Sequence, residues 1–172
     1  KKLLKEQEIP SGHNPNDYLV ERIEFKSHDG RLVPLTITRH KKTKVNGSAT
    51  LVLYGYGSYG NSISPGFSST KLSLLNRNII WATAHIRGGM EKGMKWWKEG
   101  KLTNKKNTFK DYIYAVKYLI DNKYSSKGKI IGMGGSAGGL LMGAVVNQAP
   151  ELFLGIIMAV PFVDSLTTNL DH

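Results

Sequence analysis

The sequence predicts an α/β fold in which a mostly parallel sheet follows an antiparallel hairpin. Three observations predict it. Two alternating apolar and polar runs flank an Asp-Gly turn near the N-terminus. Four short, continuously apolar runs follow, of the kind shown by strands buried on both faces. Segments with helical spacing separate them. The chain has 172 residues, room for one domain with a sizeable core and too few for two ordinary ones.

Residues 1–17 are polar, hold Pro10 and Pro15, and read as a linker or lead-in; the domain proper is expected over 18–172. Tyr18 to Lys26 alternates as a half-buried strand does, His28-Asp29-Gly30 forms the turn, and Arg31 to His40 is the partner strand. Pro34 lacks a ladder donor and suggests an edge position. Lys41 to Ser48 is a basic loop. Thr50 to Tyr54 is the first buried strand, and a glycine-rich turn, Gly55 to Gly60, follows it. Phe67 to Leu75 has helical spacing, and Asn78 to Ala84 is the second buried strand. His85 to Lys106 is a long loop or short helix. Thr108 to Asn122 is a helix with an apolar stripe of Tyr112, Ala115, Val116, Leu119 and Ile120. Thr108 and Asp111 stand where a capping box would. Lys129 to Met133 is the third buried strand. Ala137 to Gln148 is a helix of small residues that ends before Pro150, and Gly155 to Val160 is the fourth buried strand.

Composition narrows the function. Apolar residues make up 40% and charged residues 22%, a globular balance. The absence of cysteine excludes a disulfide scaffold, a thiolate zinc site and a cysteine nucleophile, and fits a reducing compartment. The longest nearly apolar stretch, Leu154 to Val163, is far short of a membrane span, so no membrane partner is expected. The opening KKLLKEQEIP lacks the apolar core of a signal peptide. The net charge of +11 is uneven, with seven lysines against Glu99 alone between Lys92 and Lys110. Lysine far exceeds arginine and no nucleic-acid motif is visible. That stretch therefore reads as a solvated face, with no nucleic-acid partner.

Gly134-Gly135-Ser136-Ala137-Gly138 matches G-x-S-x-G between a buried strand and a helix. In that context the pattern is a nucleophile elbow. A strained turn lifts the Ser136 hydroxyl above the sheet edge, and Gly134 and Gly138 let strand and helix pack around the bend. The Ala137 amide, at the helix N-terminus, points at the same place and can serve as an oxyanion donor. The fold this implies is the α/β-hydrolase fold. There the triad runs serine, acid, histidine along the chain. Asp164 and His172 have that order, but the eight residues between them cannot build the strand that normally separates acid from base. The acid and histidine are therefore expected beyond residue 172, and the sheet is expected to be incomplete at its C-terminal side. His85 precedes the serine and reads as a half-buried histidine at a strand end.

Several stretches resemble a known family in its own order. MGGSAGGLLMGAVVNQAPELF, AVPFVDSLTTNLD, LYGYGSYG, the RGGMEKG stretch from Arg87 and KKNTFKDY from Lys105 look like the prolyl oligopeptidase family of serine peptidases, nearest its oligopeptidase B branch. The resemblance implies a cytoplasmic endopeptidase, free of metal and cofactor, that cleaves short peptides after Lys or Arg. It implies an α/β-hydrolase domain capped by a propeller, with residues 1–17 leading in from it. Ser136 matches the nucleophile, Tyr56 the oxyanion tyrosine, and Tyr59 an aromatic lining the substrate pocket. Departures exist. Ser64 and Gly66 stand where that branch often has two aspartates, and Met90 replaces a usual glycine. The acids that receive a basic side chain would fall past His172. Two other readings stand beside this one: an esterase or lipase on the same fold, and a non-catalytic basic interaction protein that kept the scaffold.

Overall fold

The structure, a computed structural model, describes residues 2–6, 8–10 and 12–170. The first regular element among them is a 3-10 turn, Pro15–Asp17, where the Asn14 side chain accepts from the Asn16 amide. Strands β1 (Tyr18–Lys26) and β2 (Leu32–His40) then form the expected hairpin, paired from Tyr18↔His40 to Lys26↔Leu32. Gly30, at φ +79°, makes the turn.

Four parallel strands complete the sheet: β3 (Leu51–Tyr54), β4 (Ile80–Ala84), β5 (Ile130–Gly135) and β6 (Phe153–Ala159). The order is β1-β2-β4-β3-β5-β6. Pro34 is therefore not on an edge strand, since β2 lies between β1 and β4. The physical reason is local. Beyond the Leu35↔Ala84 pair, the His85 amide donates to the Pro34 carbonyl, but Pro34 has no N–H to return. The indole of Trp96 supplies that bond, donating to the His85 carbonyl at 3.0 Å.

Helix α1 (Ser69–Leu75) connects β3 to β4 on one face. The connection from β4 to β5 contains α2 (Met94–Lys98) and the long α3 (Lys106–Asp121). Helix α4 (Ala137–Gln148) joins β5 to β6, and α5 (Ser165–Leu170) follows. The core lies where α3 and α4 cover the sheet, with Leu35, Ile37, Leu53, Tyr112, Leu119 and Leu141 fully buried. The Tyr112 hydroxyl donates to the Leu53 carbonyl at 2.6 Å, and burial pushes its pKa well above the ordinary tyrosine value.

Thr108 and Asp111 do not form a capping box, because α3 begins earlier, at Lys106. Both side chains turn into the core. Thr108 Oγ1 donates to the carbonyls of Arg87 and Gly100. Asp111 accepts a bidentate pair from Arg87, Nε to Oδ2 at 2.8 Å and Nη2 to Oδ1 at 2.6 Å. Arg87 also donates to Asp29 in the hairpin turn, at 2.6 and 3.2 Å. The fourth predicted buried strand differs too. β6 ends the sheet, and Leu154, Ile157 and Met158 are exposed because no described strand covers its far side.

The strand order positions the site. From β3 the chain moves outward to β4, then crosses back over to β5 on the other side of β3. The carboxyl ends of β3 and β5 thus flank a topological switch point, where crevices form in open α/β sheets. Tyr56 follows β3 and Ser136 follows β5.

Candidate active site

Ser136 occupies a bend that few side chains tolerate. Its backbone sits at φ +53°, ψ −118°, between the last residue of β5 and the first of α4. The bend is held from both sides. The Ser136 amide donates to the Ala159 carbonyl at 2.9 Å, while its own carbonyl accepts from Gly139 and Phe162. Ser136 itself is exposed, whereas Ala137, Gly138 and Gly139 behind it are buried. Ala137 is the first residue of α4, so its amide has no carbonyl one turn back to bond.

The two glycines that frame the serine are required by contact. A Cβ on Gly134 would lie 2.3 Å from the Gly138 carbonyl oxygen. One on Gly138 would lie 2.9 Å from the Gly55 oxygen and 3.4 Å from the Tyr56 ring. The absence of side chains at these positions lets the turn after β3 rest on the elbow. The Tyr56 ring consequently packs two residues from Ser136, with the residue half-buried. Tyr59 projects from the same turn, 76% exposed and at φ +57°. Its ring stands largely in solvent. Ser64 and Gly66, further along, are both exposed. Met90 lies 37% exposed, with its methyl against Gly60.

His85 is fully buried rather than half-buried. Its Nε2 lies 2.6 Å from Arg22 Nη1 and 2.9 Å from Thr36 Oγ1. Arginine can only donate, so Nε2 accepts and the proton sits on Nδ1, facing Glu91 Oε1 at 3.6 Å. The ring is thus committed to the β1–β2 hairpin. Asp164 is exposed and caps α5, accepting from the Thr167 amide at 3.1 Å. His172 lies outside the described residues.

The lysine-rich stretch is mostly the solvated face expected of it. Lys92 pairs with Glu24, Lys95 with Glu99, and Lys101 lies over Trp97. Lys105 is the exception that sequence reasoning missed. Its ammonium donates to the Gly57 carbonyl at 2.5 Å and to Ser58 Oγ at 2.7 Å. Burial lowers its pKa to about 8. Nothing in its local sequence sets it apart from the neighbouring lysines, since the predicted helix starts only at Thr108.

Among the described residues no cluster of side chains is arranged to hold a metal ion, and no helix is long and apolar enough to cross a membrane. The arrangement is that of an exposed serine on an elbow, with an unbonded amide and a tyrosine beside it.

A family model described as the prolyl oligopeptidase family matches residues 65–172. Dipeptidyl aminopeptidase BI of Pseudoxanthomonas mexicana is 48% identical over 169 residues, 98% of this chain and 23% of that protein. Protease 2 of Moraxella lacunata is 45% identical over 171 residues, 99% of this chain and 25% of that protein. The solved structure of oligopeptidase B from Leishmania major superposes with a TM-score of 0.93 at 42% identity, covering 97% of this chain and 23% of that one. The chain therefore spans about a quarter of the length of these relatives. Its fold is the corresponding part of an α/β-hydrolase domain, and with the family match running across the elbow, the chain belongs to the prolyl oligopeptidase family.

Proposed function

We propose that this chain is the nucleophile-bearing part of the catalytic domain of a cytoplasmic serine peptidase that cleaves short peptides after Lys or Arg. One observation carries the proposal: Ser136 is exposed at positive φ between β5 and α4. Its Oγ attacks the substrate carbonyl carbon, and its proton passes to a histidine supplied by the remainder of a longer protein, where an acid orients that histidine. The carbonyl oxygen becomes an oxyanion that the Ala137 amide and the Tyr56 hydroxyl stabilise. The C–N bond then breaks, the amine leaves with the transferred proton, and an acyl ester remains on Ser136. Water hydrolyses it. Tyr59 lines the substrate side of the crevice. Residues 1–17 lead in from a propeller that admits only short peptides. No cofactor takes part.

A second reading, removal of N-terminal dipeptides, is favoured by the name of the relative from Pseudoxanthomonas mexicana. The test uses the full-length protein. A fluorophosphonate probe is expected to label Ser136, and Ser136→Ala to lose both label and turnover. Turnover of an N-blocked arginyl amide supports the endopeptidase; turnover only of an unblocked dipeptidyl amide supports the exopeptidase. Turnover confined to simple esters defeats both in favour of an esterase. An unlabelled Ser136 in folded protein defeats the enzyme reading altogether.

A further inference from the structure

We infer that Lys105 is a positioning residue for the oxyanion pocket, clamping the Gly57 carbonyl and so fixing the turn that carries Tyr56. The inference rests on the reading above, in which Tyr56 is an oxyanion donor.

Lys105 is wrongly placed for its helix. It occupies the N-cap of α3, where the dipole repels cations, the first turn holds no acid, and its side chain makes no cap. Its ammonium is not in open solvent either. It is enclosed between the Gly57 carbonyl, Ser58 Oγ and the Phe109 ring, whose centre is 6.0 Å away. Among the described residues no carboxylate pairs with it, so its partners in the protein are two neutral oxygens. Burial lowers its pKa to about 8, consistent with that enclosure. A residue that breaks the helix rule and the burial rule together marks a place where position matters more than stability.

What it grips explains the expense. Tyr56 lies between two anchors. On one side the Gly55 amide donates to the Met133 carbonyl at 3.0 Å, tying the turn to the strand that ends in the elbow. On the other side the Gly57 carbonyl accepts from Lys105. Gly57 sits at φ +69°, packed so tightly that a Cβ would lie 2.4 Å from Thr108 Cγ2. With glycine on both sides of Tyr56, the second anchor decides where the ring points. A displacement of about 1 Å at such a site costs on the order of a hundredfold in rate.

The test is a double-mutant cycle in the full-length protein, read on the N-blocked arginyl amide. Lys105→Met is expected to lower kcat by about tenfold to a hundredfold while KM moves by less than about threefold. In a Tyr56→Phe background the same change is expected to cost less than about twofold, because the group it positions is gone. Should Lys105→Met fold poorly, Lys105→Cys gives the same cycle, and alkylation to the thialysine is expected to restore kcat. An equal loss in both backgrounds overturns the inference, as does an unchanged kcat. Full turnover by Tyr56→Phe also overturns it. Wild-type protein that a fluorophosphonate leaves unlabelled at Ser136 defeats the underlying reading instead, and the inference with it.

Discussion

At the scale of single residues, the proposed chemistry depends on what stands opposite the Ser136 hydroxyl. The Ala137 amide is fixed by α4, whereas the Tyr56 hydroxyl rides on a glycine turn. Replacing Tyr56 by Phe keeps the ring against Gly138 and removes only the hydroxyl proposed as an oxyanion donor. The expected outcome is a kcat loss of about a hundredfold to a thousandfold with KM little changed, measured by steady-state kinetics. Gly134→Ala tests the bend itself. Its methyl would meet the Gly138 carbonyl oxygen at 2.3 Å, backbone that cannot swing aside. We expect a loss of about 3 kcal/mol, read as a fall in thermal midpoint, together with loss of fluorophosphonate labelling. The bend at Ser136 and the close packing of its flanking glycines were legible because strand, turn and helix share one short pattern, whereas Tyr56 stood out only through the family resemblance. Lys105 was not legible. Its partner is distant in the chain, and a lysine among lysines gives no local signal that one of them is held by a distant carbonyl. His85 escaped for a similar reason, since its burial comes from Arg22 and Thr36 on the hairpin.

Among the elements, the hairpin, the loop that follows β4 and α3 are locked together by one cation, Arg87. Arg87 is 1% exposed and Asp111 is wholly buried, and Ser27 Oγ donates to Asp111 as well, at 2.5 Å. Two carboxylates around one guanidinium raise its pKa above the ordinary arginine value despite the burial that opposes it. Asp111→Asn keeps the shape and removes a buried charge, leaving Arg87 with only the half-exposed Asp29. The expected cost is about 3 to 5 kcal/mol, seen as a lower thermal midpoint. Asp29 yields a pH test. Burial works to raise its pKa, but the hydrogen bonds from Arg87 and from the Arg31 amide outweigh it and hold the carboxyl below its ordinary 3.8. A depressed carboxyl contributes stability above its unfolded pKa and loses it as pH falls through the folded one. The gap in thermal midpoint between wild type and Asp29→Asn should therefore be constant from about pH 7 to about pH 5 and close below about pH 3.8. A gap unchanged at lower pH would show that Asp29 acts by shape alone. Strand and helix positions were legible from periodicity, because burial on one face or both dictates the pattern. Partners were not. Asp29 reads as a turn residue and is one, but nothing local announces its pairing with Arg87; Thr108 and Asp111 read as a cap and Pro34 as an edge marker, and there a sound local rule loses to a contact from another element.

For the whole molecule, the sheet is closed on one side and bare on the other. β1 ends it with the charged residues Glu21, Arg22, Glu24 and Lys26 among its alternating positions, which is how natural edges resist pairing. β6 ends it with FLGIIMA, a sequence suited to burial on both faces, yet Leu154 is 59% exposed, Ile157 46% and Met158 43%. Ile157 and Met158, adjacent in the strand, point to opposite faces, so no single covering helix would hide both. The net charge of +11 works against self-association, but this strand carries no charge to repel a partner. Backbone pairing and apolar contact act at short range, where general repulsion between chains is screened by salt. We therefore expect residues 1–172 expressed alone to associate as concentration and salt rise, measured by sedimentation velocity. Ile157→Lys, placing a cation on the bare edge, should suppress that association and leave the far-UV spectrum unchanged. If the lone chain stays monomeric at high salt, β6 is protected by something other than a neighbouring strand. If Ile157→Lys associates as the parent does, the contact lies elsewhere on the surface.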